Sequence, residues 1–153
     1  MSPRPPLGQL SRRRRHAIAI EARAMLRCAL ATFYGLAGVA HFKATDKFLL
    51  IVPGWVPEPR LVVQLTGALE LVGAVALLIP KLQQAVGLML ALYALCVFPA
   101  NIKHALEGIQ VAGWPSSWWY HGPRLAAQPV LIWLTLYAAQ LIDWPFGARP
   151  EPS

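Results

Sequence analysis

The sequence predicts an all-α protein, an integral membrane four-helix antiparallel bundle, and three observations predict it. The composition is lopsided: 56% of residues are apolar and 14% charged, where a soluble domain runs near ~45–50% and ~25%. Four apolar runs, at residues 24–42, 61–79, 82–100 and 125–142, have the length that crosses a ~30 Å hydrocarbon core at ~1.5 Å rise per residue. Only Pro80 and Lys81 separate the second run from the third. A connection that short requires an antiparallel helical hairpin.

The 153 residues suit one domain. Residues 1–23 open with Pro3, Pro5 and Pro6 and continue through four arginines at 12–15. Proline denies that start a regular element and the arginines repel one another. A disordered basic cytoplasmic tail with a short lead-in is expected there. The net charge is +7, and half of the lysines and arginines precede residue 28. No nucleic-acid-reading motif accompanies them, so nucleic acid is excluded as a partner. The basic head instead fits membrane orientation and contact with anionic lipid. Cys28 and Cys96 lie far apart inside apolar runs with no Cys-x-x-Cys. They read as small buried hydrophobes rather than a zinc or dithiol centre.

The first span, 24–42, carries Gly35 and Gly38 and ends near His41. Residues 43–60 hold Pro53, Pro57 and Pro59, which prevent a continuous helix. Phe48, Ile51, Val52 and Trp55 are nonetheless apolar, so this loop is expected to lie in the interface or fold back over the bundle. The second span, 61–79, carries one carboxylate at its middle, Glu70. A charge there costs roughly 2.5–3.5 kcal/mol on insertion scales, so such residues face the bundle interior and find partners. Gly67 and Ala74 share its helix face and let another helix approach. Glu70 then either holds helices in register or handles a ligand or proton; the sequence leaves both open.

The third span, 82–100, closes on Phe98-Pro99-Ala100-Asn101, and its proline frees a carbonyl one turn earlier that needs a local partner. Asn101 is expected either to cap that helix or to bind. Trp114, Trp118, Trp119 and Tyr120 resemble an interfacial belt. The fourth span, 125–142, is expected to carry Pro129 in its first turn. Residues 143–153 form a flexible cytoplasmic tail.

Four spans put both termini on one side. That side and the Pro80-Lys81 turn hold nine lysines and arginines, and the opposite loops hold five. The positive-inside rule then places both termini in the cytoplasm. In this topology every span brings a polar side chain to the same outer level: His41, Gln64, Asn101 with His104, and Gln128, with Glu70 about two turns deeper. The set predicts an outward-opening ligand pocket roofed by the loop around Trp55. Two histidines and one carboxylate without diagnostic spacing predict no metal. No nucleophile with its base is visible, so catalytic residues are not assigned.

His41-Phe42, Phe48-Leu49, Ile51-Val52-Pro53 with Trp55 and Pro57, Gly67-Ala68-Leu69-Glu70, Pro80 and Phe98-Pro99-Ala100-Asn101 together resemble the DoxX-like family of small four-span bacterial membrane proteins. The resemblance covers roughly residues 25–142. It implies the bacterial cytoplasmic (inner) membrane and a link to redox or thiol metabolism. The expected function is an accessory membrane subunit of a redox system, not a complete enzyme by itself. No flavin, haem or dithiol motif can be named that would make it complete, and the lipid-soluble carrier it would bind is a quinone or a similar molecule. A small-solute or proton-coupled transporter component and a membrane assembly scaffold are the alternatives. The lipid bilayer is the expected partner, with redox proteins or further copies of the chain beside it.

Overall fold

The computed structural model describes the backbone of residues 7–144 and the side chains of residues 18–144. It is all-helical, with no strand among the described residues. Five helices follow in order: α1 (Leu7–Lys43), α2 (Thr45–Leu49), α3 (Pro59–Leu77), α4 (Gln83–Leu106) and α5 (Trp118–Ala138). Three segments are long and apolar enough to cross a membrane: Ile18–Lys43, Pro59–Leu77 and Gln83–Leu106. These are compatible with a multi-pass membrane protein.

The helix ends differ from the expected ones for local reasons. α1 begins at Leu7, so residues 7–15 are helical where a disordered tail was expected, and the lead-in at 17–23 is part of the same helix. After Pro6 nothing breaks a helix, arginine is a good helix former, and extending an existing helix needs no new nucleus. The proline-rich residues 1–6 and the tail from 145 onward lie outside the described residues. α3 starts on Pro59, a residue suited to the first helical position, and ends at Leu77 ahead of Pro80. α4 continues through Pro99 to Leu106, past the expected end at 100. α5 starts at Trp118 and stops at Ala138. Pro129 therefore sits well inside that helix and not in its first turn. Gln140, in the left-handed region at φ 60°, ends the path expected to run to Ile142. The polar first turns of α5, with His121 and Arg124, keep it out of the set of three crossing segments.

Cross-helix contacts give the directions. Gly35 approaches Ala74 and Gly38 approaches Gly67, so α1 and α3 run antiparallel. Gly73 meets Leu90 and Tyr93 bonds Glu70, so α3 and α4 are antiparallel. Asn101 bonds Gln128 and Gly87 meets Ala139, so α4 and α5 are too. Arg27 Nη1 donates to the Ala138 carbonyl at 3.0 Å and Tyr34 reaches Thr135, which closes α5 back onto α1.

The same registers divide the bundle lengthwise. One half is packed solid by Leu30, Tyr34, Ala74, Leu77, Leu90 and Ala138. Its helices approach closely because Gly73 and Gly87 lack side chains. A Cβ on Gly73 would lie 2.7 Å from Leu90 Cδ2, and one on Gly87 would collide with the Ala139 Cβ. The other half encloses a cavity. Outside, Leu61, Leu65, Leu69, Val72 and Val75 form an exposed stripe on α3, while Val63, Gly67, Glu70 and Ala74 face inward. An apolar outer face over an inner face of small and polar residues is the inverse of a soluble helix and matches packing in lipid.

Candidate functional site

The cavity has a volume of about 460 Å³. Its walls are mostly apolar and aromatic, among them Phe33, Phe48, Ile51, Val63, Val97 and Leu131. The connection between α1 and α3 supplies Val52, Pro53, Trp55 and Val56. That loop is tied down at two points: Lys103 Nζ donates to the Val52 carbonyl at 2.7 Å, and Arg60 pairs with Asp46 at 2.6 Å.

Two polar groups break the apolar lining. The first is built where α1, α3 and α4 meet. A Cβ on Gly38 would lie 2.8 Å from the Gly67 carbonyl oxygen, and one on Gly67 would lie 2.7 Å from His41 Cβ. Only glycine allows the two backbones to come this close. His41 and Glu70 each follow their glycine by three residues, and each leans toward its own helix N-terminus. On antiparallel helices those leanings converge. His41 Nδ1 lies 2.9 Å from Glu70 Oε2 and 2.9 Å from the Ala37 carbonyl oxygen. The carbonyl can only accept, so Nδ1 carries the hydrogen and directs it there. The carboxylate contact is then electrostatic, and Oε2 is buried without a hydrogen bond among the described residues. Tyr93 Oη donates to Oε1 at 2.8 Å. The His41 ring stacks on Phe48 with centroids 4.1 Å apart. Its second nitrogen, Nε2, has no partner among the described residues. In the neutral ring that nitrogen is an acceptor and a base.

The second polar group lies at α4 and α5, and its donor directions follow from one fixed end. The Ala94 carbonyl can only accept, so Gln128 presents Nε2 to it at 2.6 Å. Gln128 Oε1 therefore accepts from Asn101 Nδ2 at 2.8 Å. Asn101 Oδ1 in turn accepts from Arg124 Nη2 at 2.5 Å. Arg124 Nη1 donates to His104 Nδ1 at 2.7 Å. Ala94 immediately precedes Leu95, the residue whose carbonyl Pro99 leaves without its helical donor. The Gln128 bond thus falls on the carbonyl next to the one Pro99 frees and is not the local partner expected for it. Asn101 lies inside α4, so it does not cap the helix. Tyr93 and Asn101 are eight residues apart on α4, a rise of roughly 12 Å between those two residues, and Gln128 spans the interval by reaching the Ala94 carbonyl.

Among the described residues no group of three histidine, cysteine or carboxylate side chains could hold a metal.

The family model that matches the chain is described as a domain of unknown function, DUF8561, and it matches residues 30–139. The chain belongs to the DUF8561 family. The DUF8561 segment contains every residue lining the cavity. No curated protein and no solved structure matches this DUF8561 chain.

Of the six residues expected in the pocket, His41, Glu70, Asn101 and Gln128 line the DUF8561 cavity. Gln64 does not: it is exposed on the outer face of α3, and Val63 and Thr66 take its place at that level. His104 is fully buried behind the cavity wall. There it meets Arg124, Trp114 and the edge of His121, whose ring centroid is 4.6 Å away. Tyr34, Tyr93 and Arg124 also line the cavity and escaped the sequence reading. Tyr93 had a partial signal: reflection of Glu70 through the Pro80-Lys81 turn falls at Ala91, about half a turn away from it. The cysteines are exposed where burial was expected, and Cys96 borders the cavity.

Proposed function

We propose that this DUF8561 protein is a multi-pass protein of the bacterial cytoplasmic membrane. Four spans enclose its cavity, both termini are cytoplasmic, and the cavity binds a lipid-soluble, oxygen-bearing small molecule of the quinone type. The observation that carries this reading is the His41–Glu70 pair at an apolar cavity wall. The histidine's Nδ1 side is held by the Ala37 carbonyl and Glu70, and its Nε2 has no partner among the described residues. A hydroxyl of a bound carrier would donate to the neutral Nε2, and a carbonyl oxygen would accept from it once the ring is protonated, while Glu70, itself held by Tyr93, keeps the ring in that orientation. The polar minority within apolar walls is the composition expected of a small-molecule site. The sequence offers no flavin, haem or dithiol motif, so in this reading the protein acts as an accessory subunit beside a redox partner. Kinship with the DoxX-like proteins belongs to the same proposal, since His41, Gly67 and Glu70 carry that resemblance and build this end of the cavity.

The test is mass spectrometry of the small molecules that co-purify in mild non-ionic detergent, for the wild type, Glu70→Gln and His41→Phe. A stoichiometric quinone in the wild type, lost from both variants, is the expected result. Bulk phospholipid alone in all three would overturn the carrier reading and leave transport or scaffolding. Reporter fusions at both termini test the orientation.

A further inference from the structure

Arg124 is a cation at the cavity wall without an anion. Its Nη1 donates to His104 Nδ1 at 2.7 Å and its Nη2 to Asn101 Oδ1 at 2.5 Å. The guanidinium also lies 5.8 Å from the Trp114 ring and 5.7 Å from the Tyr120 ring. All four neighbours are neutral groups. Among the described residues no carboxylate pairs with it. The carboxylate that lines the cavity, Glu70, is bound up with His41 and Tyr93.

A guanidinium has five N–H donors in a fixed fork, and the two hydrogen bonds leave three of them unused. The chain of amides from Ala94 through Gln128 and Asn101 points every donor one way, so the Arg124 head is oriented without being neutralised. Desolvating a cation without a counter-charge is unfavourable. Fixing its geometry by neutral partners prepares it for a planar or tetrahedral oxyanion, the groups that the fork matches best.

We infer that this end of the cavity binds the anionic head of an amphiphile, a carboxylate or a phosphate on an apolar body, with Arg124 as the counter-ion and the body lying along the apolar wall toward His41. The inference rests on the reading of the cavity as a site for a lipid-soluble molecule, and it narrows that class to acidic members. The carboxylate of a fatty acid and the phosphate of a lipid head share the required chemistry.

The experiment measures binding of dodecanoate, dodecyl phosphate, dodecanol and a decyl-substituted benzoquinone to the full chain in non-ionic detergent. It compares the wild type, Arg124→Lys and Arg124→Gln. At least one anionic probe is expected to bind the wild type about tenfold more tightly than dodecanol, as one charge-assisted contact implies. Arg124→Gln removes that preference and leaves dodecanol unchanged, while Arg124→Lys retains part of it. Preference for dodecanoate alone names a fatty-acid ligand, and preference for dodecyl phosphate alone names a lipid head; either supports the inference. If Arg124→Gln fails to fold, the wild type still decides, because dodecanoate binding should weaken with added salt and dodecanol binding should not. Equal, salt-insensitive affinities for all three alkyl probes would overturn the anion site. If the benzoquinone still bound, the carrier reading would survive that result. Binding of none of the four probes would end both.

Discussion

Gly38 and Gly67 meet backbone to backbone, and that contact sets His41 beside Glu70. A Cβ on Gly38 would stand 2.8 Å from the Gly67 carbonyl oxygen. The obstacle is main chain, so a methyl group there has to push α1 away from α3. Gly38→Ala should destabilise the protein by about 1–3 kcal/mol, the usual range for overpacking a tight interface. It should also reduce carrier binding, because the His41 ring moves with α1. Thermal unfolding in detergent and ligand retention would check both.

Gly87→Ala provides the contrasting case. The added methyl would collide with the Ala139 Cβ, at the solid end of the bundle. A loss of similar size, about 1–3 kcal/mol, is expected with carrier affinity unchanged once the protein is folded. If both glycine variants lost binding in proportion to stability, the special position of Gly38 would be refuted.

Glu70→Gln keeps the size of the side chain and an acceptor for Tyr93 Oη, so the fold should survive. It removes the negative charge beside His41 Nδ1 and should release the carrier. Glu70→Leu leaves the Tyr93 hydroxyl without its partner, and an orphaned buried hydroxyl costs roughly 1–3 kcal/mol. A Glu70→Leu protein that is more stable than the wild type and retains its carrier would end the inward polar site.

Gln128→Leu should unlock Arg124. It removes the bond to the Ala94 carbonyl and the acceptor for Asn101, so Arg124 alone still fixes which way the Asn101 amide faces. The expected stability loss is about 1–3 kcal/mol. Preference for an anionic probe should fall more than affinity for a neutral one, as read by the same binding measurements.

Much of the fold was legible because it depends on local chain properties. The lengths of the apolar runs, the Pro80-Lys81 turn and the position of Pro59 speak for helices and their order whatever the partners are. The carboxylate in the middle of α3 also announced an inward face, since leaving it outward in an apolar medium is costly. The helix ends were harder. Arg-rich residues 7–23 carry charge but no proline, and helix simply propagates through them until something stops it. Trp118–Arg124 is helical in spite of Gly122 and Pro123, which the sequence offered as reasons to start the helix later.

The site divides along the same line. His41, Glu70, Asn101 and Gln128 could be placed by depth alone, because antiparallel order and a fixed rise per residue determine depth. Rotation about each helix axis could not. It decides that Thr66 and not Gln64 faces the cavity, that His104 turns behind the wall, and that Tyr93 meets Glu70. The sequence by itself determined an all-helical chain, the levels of its polar residues and the inward carboxylate, since these follow from periodicity and transfer cost. Only the tertiary structure decided which of those residues meet and that Arg124 has no counter-ion among the described residues. Those outcomes depend on glycine contacts and amide directions between helices far apart in the chain, which no local pattern encodes.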